Sequence, residues 1–262
     1  MPVTLLLAGL LAGCLSGFLG LGGGAALVPC FALLGGMEQH RAQLLSLAVL
    51  LPPVALPALL AYKKAGVRLH VPTVVRMAFG FVMGGWCGAR LANWASGPRL
   101  AIGFASFLLL LGAREWLQGS AKSKAEPALS DRDFFSSSSP GVAAAVGLAG
   151  GIWGGALGVG GAVVMIPLLM KFMRYSRIEA QACTLAIAIP PLGLPAVLEY
   201  ARLHGPIPWA NVAIVALAFA ASARAAGRLA PGLEPRHIAR AFALVLLAIS
   251  GSIFYRALVL HA

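Results

Sequence analysis

The chain has 262 residues, of which 60% are hydrophobic and 11% charged, and its mean hydropathy is +0.88. So little polar surface cannot cover a water-soluble globule, and the composition therefore predicts a membrane protein. The net charge of +12 does not indicate a nucleic-acid partner, because the 20 Lys and Arg residues lie mostly between apolar segments, where membrane proteins collect positive charge.

Eight apolar segments follow one another along the chain, four in each half. Each is long enough to cross a bilayer, which takes about 20 apolar residues. The predicted fold is therefore an all-α polytopic membrane protein. The segments cover residues 3–35, 42–62, 71–94 and 98–117 in the first half, and 141–173, 180–200, 209–230 and 236–258 in the second.

The second half of the sequence repeats the first at a constant offset. Residues 9–62 align with 147–200 without a gap, and 20 of these 54 positions are identical, where composition alone would give about five. The repeat predicts two structural units, residues 1–117 and 140–262, which are joined by a polar linker at 118–139.

The first segment of each half is interrupted by glycine, at residues 20–24 and again at 158–161. Glycine costs about 1 kcal/mol inside a helix, so each cluster predicts unwound backbone. Such a segment either crosses the membrane once with a kink or turns back as a hairpin of two short helices. The glycine pattern alone leaves both geometries open.

The distribution of positive charge distinguishes the two geometries. If every segment crosses once, the 20 Lys and Arg residues divide 10 to 10 between the two sides, whereas returning first segments divide them 15 to 5. The positive-inside rule favours the second division and makes the 15-charge side, which includes the linker, cytoplasmic. The halves are then inverted repeats, each a Gly-broken helical hairpin plus three transmembrane helices, and both termini face outward.

The glycine breaks predict a site for an anion. A half-helix that begins at a break presents free N–H groups and its positive dipole end, and glycine lets an anion approach the backbone. Inverted repeats with broken helices are typical of transporters that work by alternating access around a midplane site. The predicted backbone ligands are Gly22, Gly23, Gly24, Gly160, Gly161 and Ala162. The earlier glycines, Gly13, Gly17 and Gly20, are interpreted as helix-packing residues.

Two polar pairs occur at equivalent positions near the start of the second segment of each half. These are Gln43 with Ser46, and Gln181 with Thr184. Their amide and hydroxyl groups are candidate ligands for the anion. Hydrogen bonding between helices is an equally good interpretation.

Two proline pairs, Pro52-Pro53 and Pro190-Pro191, stand in the middle of the second segments. Each proline removes a backbone hydrogen bond, so the pairs predict hinges or fixed bends beside the site. Glu199 breaks the internal symmetry, since the first half has alanine there, and acids buried in a membrane often move protons. A solvated carboxylate at a helix end is the commoner arrangement, so a coupling role for Glu199 stays open.

Neither a metal site nor a catalytic site is predicted. The four cysteines lie within apolar stretches and are interpreted as packing residues, and the five histidines fall at segment edges without metal-ligand spacing. No nucleophile is paired with a base, so the chain is not expected to be an enzyme or to carry a cofactor. The cysteines are Cys14, Cys30, Cys87 and Cys183, and the histidines are His40, His70, His204, His237 and His261.

The two broken segments resemble the sulfite exporter TauE/SafE family, in which a Gly-rich break followed by proline occurs once per half. Here the matching stretches are residues 17–29 and 155–167. A further family element, Ala-x-x-Thr-Ser-Leu, corresponds to residues 42–47 and 180–185. In this chain Leu45 and Cys183 replace the threonine of that element, a difference that concerns the substrate more than the fold.

The resemblance implies a permease of the bacterial cytoplasmic (inner) membrane that exports sulfite or an organosulfonate. In that membrane, the topology favoured by the charge distribution makes both termini periplasmic. Its expected partners are the small anionic substrate and the lipid bilayer. An anion channel, or a permease for a different small anionic solute, is the alternative. Coupling to protons or sodium and the formation of a homodimer stay open.

Overall fold

The computed structural model describes residues 2–19, 24–54, 56–64, 66–67, 69–118, 140–229 and 235–259. Over these residues the chain forms twelve α-helices and no strand. The first half contributes α1 Pro2–Leu19, α2 Gly24–Leu33, α3 Gln39–Val49, α4 Leu56–Lys64, α5 Val71–Trp94 and α6 Gly97–Gln118. The second half contributes α7 Pro140–Leu157, α8 Ala162–Phe172, α9 Arg177–Ile187, α10 Leu194–His204, α11 Trp209–Leu229 and α12 Pro235–Val259. Nearly all of the predicted linker lies outside the described residues.

Three of the described helices contain stretches long and apolar enough to cross a membrane, judged by length and composition. They are Gly97–Arg114 in α6, Pro140–Leu157 in α7 and Trp209–Ala226 in α11. On α5, Val75, Phe79 and Met83 follow one another at every fourth position and are all exposed. An outward apolar stripe of this kind suits lipid rather than water. The predicted all-α class is confirmed, and these helices agree with a polytopic membrane protein.

Each predicted second segment consists of two helices rather than one kinked helix. α3 ends at Val49 and α4 begins at Leu56, while α9 ends at Ile187 and α10 begins at Leu194. The proline pairs lie in these gaps, and because two adjacent prolines remove two successive N–H donors, the helix stops. Tight turns replace it, and the turn in each half has the same bond, at 2.6 Å from N–H to carbonyl oxygen. These bonds join Val54 to Pro52 and Leu192 to Pro190.

The second half contains a helical hairpin at its glycine break, because α8 folds back along α7. A Cβ atom placed on Gly154 would lie 2.7 Å from the nitrogen of Gly161, and one on Gly150 would lie 2.7 Å from Met165 Sδ. The two helices are therefore antiparallel and in close contact. In the first half, α1 and α2 also contact each other.

The two halves pack against each other through glycine-rich faces. α1 lies along α11 and α7 lies along α5, which are equivalent pairs of helices in the repeat. A Cβ on Gly13 would meet the backbone of Phe219, and a Cβ on Gly151 would meet that of Phe81. The same offset that aligns Gly13 with Gly151 also aligns Phe81 with Phe219, so the two contacts are equivalent.

These contacts decide the interpretation of the early glycines. The packing interpretation of Gly13 is confirmed, and so is that of Gly17, because a Cβ there would meet the backbone of Ala223. Gly20 lies outside the described residues.

The last helices of the two halves, α6 and α12, also pack together. Ser250 Oγ donates to the carbonyl of Ala105 at 2.8 Å, in a buried hydrogen bond. Further along, a Cβ on Gly112 would lie 3.2 Å from the carbonyl oxygen of Ala243. Since the residue number rises on α6 as it falls on α12, these equivalent helices run antiparallel.

Candidate functional site

The candidate site is built around the break between α7 and α8. Three glycines of this break have left-handed backbone, with φ of 74° at Gly158, 74° at Gly160 and 73° at Gly161. Residues with a Cβ rarely adopt this conformation, which explains why the break requires glycine at these positions. The break ends where α8 begins, so the N–H groups at the start of α8 are directed toward it.

The equivalent break of the first half is only partly described. Gly22 and Gly23 lie outside the described residues, and Gly24 is the first residue of α2. The backbone geometry predicted there for an anion ligand stays a prediction.

A helix of the first half holds the break of the second half in place. Ser46 Oγ on α3 donates to the carbonyl of Gly158 at 2.8 Å, in a buried hydrogen bond. One turn earlier on α3, the Cα of Gln43 would lie 2.9 Å from a Cβ placed on Gly158. The structure therefore brings Gln43 and Ser46, both predicted from the sequence, against a glycine break that lies in the other half of the chain.

The amide of Gln43 is fully buried, and only its oxygen atom has a hydrogen-bond partner among the described residues. The hydroxyl of Tyr200 on α10 lies 2.9 Å from Gln43 Oε1 and 3.0 Å from the carbonyl oxygen of Gly155. On the other side of the amide, Nε2 is buried and makes no hydrogen bond within the described part of the chain. A buried donor without a partner costs about 1–3 kcal/mol. The Gln43 amide therefore keeps one donor that no described protein atom uses.

The equivalent pair, with the halves exchanged, repeats the hydrogen bond between glutamine and tyrosine. Tyr62 on α4 donates to Gln181 Oε1 on α9 at 3.0 Å. Beside it, Thr184 Oγ1 donates to the carbonyl of Gln181 at 2.9 Å. Neither tyrosine was predicted as a site residue. Their identity at equivalent positions of the repeat, next to two identical glutamines, was the signal that could have found them.

A cavity of about 70 Å³ lies next to the break. By this measure a water molecule needs about 10–15 Å³, so the cavity has room for a small anion. Much of its wall is apolar, and Leu47, Leu50 and Phe81 are part of it. The predicted site residues that line it are Gly160, Ala162, Thr184, Pro190 and Pro191.

The other predicted residues lie outside this lining. Gly161 packs into the hairpin and against α5, since a Cβ on it would overlap the Gly150 carbonyl and lie 2.7 Å from Phe81 Cε2. Pro52 and Pro53 are exposed in the gap between α3 and α4. Glu199 is half-buried, and its backbone carbonyl accepts a hydrogen bond from Asn93 Nδ2 at 3.4 Å.

The described residues contain no group of three or more His, Cys, Asp or Glu side chains that could hold a metal ion. The four cysteines are free thiols, and Cys30 and Cys183 are buried. The hydroxyls of Ser46 and Thr184 already donate to carbonyl groups, so the donors left for an oxyanion are the Nε2 group of Gln43 and the positive end of α8.

The model of the sulfite exporter TauE/SafE family matches residues 2–253 of the chain. The match includes both halves of the repeat and every residue of the candidate site. No curated protein and no solved structure matches the chain.

Proposed function

Because the chain belongs to the sulfite exporter TauE/SafE family of membrane transporters, we propose that it moves sulfite or a small organosulfonate across the bacterial inner membrane. The proposed mechanism is alternating access around the cavity beside the second glycine break, and the proposed direction is export. The single observation that carries this proposal is the buried Nε2 of Gln43, which has no partner among the described residues and belongs to a side chain whose Cβ and Cγ lie against that break.

The amide of Gln43 supplies a directed donor for the anion. Its Oε1 is held by the Tyr200 hydroxyl, so the free NH₂ group has a fixed direction. A hydrogen bond from a protein donor to a charged group contributes about 1.5–3 kcal/mol. A bound oxyanion would therefore offset the cost of leaving this donor unpaired in the empty protein.

The backbone at the start of α8 supplies the second set of donors. Gly160 and Ala162 both line the cavity, and Gly161 caps α8 with left-handed backbone. The positive end of the helix dipole favours negative charge there, while within the first turn the N–H groups of Ala162 and Val164 already donate to the carbonyls of Gly160 and Gly161. Thr184 lies on the wall contributed by α9, where its hydroxyl would have to give up its hydrogen bond to the Gln181 carbonyl before it could donate to an anion.

The composition of the cavity wall supports a substrate with a small apolar part. Leu47, Leu50 and Phe81 can pack against carbon but form no hydrogen bond with oxygen. A sulfonate with a short carbon chain uses both kinds of surface, with its oxygens at the break and its chain against these residues. Sulfite uses only the polar side, so we expect weaker binding of sulfite than of an organosulfonate.

We further propose that the first segment of each half returns to its own side and that the halves are inverted. Arg41 Nη1 donates to the carbonyl of His204 at 2.6 Å. If every segment crossed once, these two residues would lie on opposite sides of the membrane, whereas returning segments put both on the outer side. The antiparallel contact of α6 with α12 also supports inversion, because single crossings would make these helices parallel.

The transport proposal is tested with the purified full chain in proteoliposomes. Uptake of labelled sulfite, sulfoacetate, taurine and sulfate is measured with and without a pH gradient, and protein-free vesicles are the control. We expect uptake of at least one sulfur oxyanion, faster when unlabelled substrate is trapped inside, because a carrier exchanges its substrate and a channel does not. The absence of uptake for all four anions would overturn the proposal.

A further inference from the structure

Two histidines from different halves of the chain stack on each other beside the candidate site. The ring centroids of His40 on α3 and His204 on α10 lie 4.4 Å apart, and the ring planes differ by 11°. His40 is 8% exposed and His204 is half-buried. Both residues lie at helix ends, outside the apolar segments 42–62 and 180–200, so solvent reaches the pair through His204.

The hydrogen bonds around the pair fix where a proton can bind. Asn93 Nδ2 donates to the carbonyl of Glu199, so Asn93 Oδ1 is the atom that lies 3.1 Å from His204 Nε2. His204 Nε2 therefore carries hydrogen, and the neutral ring has its lone pair on Nδ1. On the other ring, His40 Nδ1 is buried and has no hydrogen-bond partner within the described ranges. The pair thus has ring nitrogens free to accept a proton.

The charges that act on the pair come from α3 and its N-cap. Burial and then the neighbouring His204 lower the pKa of His40, while a backbone hydrogen bond with Ala95 and the Glu38 carboxylate act in the opposite direction. Burial lowers the pKa of His204, and Glu38 raises it while Arg41 lowers it further. Two stacked rings repel each other when both are charged, so the pair takes up one proton before two.

The other helices at this end contribute few charged groups. α5 presents Asn93 to the pair and α10 presents Tyr200. α6 and α11 also pack on α3. Both helices begin at this end of the bundle. The first charged residue of α6 is Arg99, and α11 contains no charged residue before Arg224.

The pair is connected to the site by the same two helices. His40 and Gln43 lie one turn apart on α3, and His204 and Tyr200 lie one turn apart on α10. The ring of Tyr200 lies 6.3 Å from that of His40 and 6.1 Å from that of His204, measured between centroids. We propose that His40 and His204 together bind the proton that this protein couples to anion transport.

This inference rests on the proposed transport function and names its coupling ion. A proton on the pair adds a positive charge one helical turn from the Gln43 amide, which strengthens anion binding. By linkage the bound anion strengthens proton binding equally, so the two move together.

The histidine pair occurs once and has no equivalent at the corresponding positions of the repeat. The proposed coupling site is therefore asymmetric. The positions equivalent to His40 and His204 are occupied by Ile178 and Gly66. Glu199, the coupling candidate from the sequence, joins this cluster only through its backbone carbonyl.

The coupling is tested by binding of methanesulfonate, which keeps one negative charge between pH 5 and 8. In the wild-type protein we expect affinity to fall as pH rises, by up to about tenfold per pH unit, as linkage to one proton requires. In His40→Gln and His204→Gln this dependence disappears. His70→Gln is the matched control, since His70 lies at the other end of α5 beside Thr73 and should keep the wild-type dependence. An unchanged pH dependence in both pair variants would overturn the proposal.

A direct titration separates this inference from the transport function. The full chain, labelled with ¹³C at histidine Cε1, is titrated by NMR in detergent. We expect one ring of the pair to titrate below the ordinary value of about 6.5, and the His40 signal to shift upward in His204→Gln. Independent titration of both rings at ordinary values would overturn the proton site. Coupled titration without uptake of any anion would leave the proton site standing and overturn the transport function instead.

Discussion

The hydroxyl of Tyr200 lies 2.9 Å from Oε1 of Gln43, so a residue of the second half orients an amide of the first. Tyr62 and Gln181 repeat this contact at 3.0 Å, with the contributions of the two halves exchanged. The pairs join α3 to α10 and α9 to α4 next to the proline gaps. Each half therefore completes the polar contacts of the other.

Gln43→Leu separates the binding role of this amide from a structural role. The change removes a buried donor that has no partner in the described part of the protein, and Tyr200 keeps the Gly155 carbonyl as an acceptor. We expect the free energy of unfolding to stay within about 1 kcal/mol of the wild type or to rise, while anion affinity falls about tenfold or more. Thermal unfolding in detergent and a binding titration measure the two quantities. A large loss of stability with unchanged affinity would make Gln43 a structural residue.

Tyr200→Phe should weaken both stability and anion binding. The change leaves the Gly155 carbonyl and Gln43 Oε1 without their shared donor in a fully buried environment, at a cost of about 1–3 kcal/mol. Tyr62→Phe is the matched control, because Tyr62 is half-buried and should lose about 1 kcal/mol or less. Thermal unfolding midpoints and the Km of uptake are measured for both. Equal effects of the two changes would contradict the asymmetry expected from burial.

Gly160→Ala tests the break itself at the glycine that lines the cavity. A Cβ there meets only Leu50 Cδ1, at 3.3 Å, but the backbone has φ of 74°, which costs a residue with a side chain about 1 kcal/mol. We expect a folded protein with a several-fold lower rate of anion uptake, because the methyl group enters the cavity. Gly161→Ala is less informative, since its Cβ would overlap the Gly150 carbonyl and the protein would lose stability. Wild-type uptake in Gly160→Ala would remove this glycine from the site.

Gly151→Ala should destabilise the contact between α5 and α7. Its Cβ would lie 2.7 Å from the nitrogen of Gly85, so the two helices must separate. Gly103→Ala in α6 is the control, because nothing lies within 4 Å of its Cβ and alanine favours the helix by about 0.5–1 kcal/mol. We expect the unfolding midpoint to fall in the first variant and to rise slightly in the second. A rise in both would mean that this helix contact has less influence on stability than the geometry indicates.

The proposed topology predicts that Arg202 and Ser137 lie on opposite sides of the membrane. With returning first segments, position 202 is outside and the linker at 137 is inside, whereas single crossings put both positions on the same side. The chain with its four cysteines replaced by alanine receives Arg202→Cys or Ser137→Cys. A membrane-impermeant maleimide applied to intact cells should label only the cysteine at 202. Labelling of both or neither, with full labelling after lysis, would favour single crossings.

Much of this architecture could be predicted because equivalent positions of the sequence repeat make equivalent contacts. The alignment of the two halves relates Gly13 to Gly151, and the same offset relates the surfaces they contact, Phe219 and Phe81. Gln43 and Ser46 were found as polar residues shared by the two halves. Their approach to Gly158 could not be predicted, because nothing local in the sequence states which helix of one half faces the break of the other.

The histidine pair was missed for a related physical reason. His40 and His204 lie in different halves of the chain, and neither has a histidine at the equivalent position of the other half, so no periodicity connects them. The helix ends at the proline pairs were also not predicted, since one proline kinks a helix in a membrane but two adjacent prolines stop it here. In both cases the contact or the chain break depends on the tertiary arrangement.

Helices with glycine-rich faces pack across the two halves, and this affects the order in which contacts can form during synthesis of the chain. α1 ends at Leu19 and packs on α11, which begins only at Trp209. At about 5–20 residues per second, translation leaves α1 without its final neighbour for roughly 10–40 s. During that time the groove around Gly13 must be filled by lipid or by the insertion machinery. The glycine face of the first helix in each half is covered by a helix of the other half, so a gene divided at the linker should give active protein only when both fragments are made in the same cell.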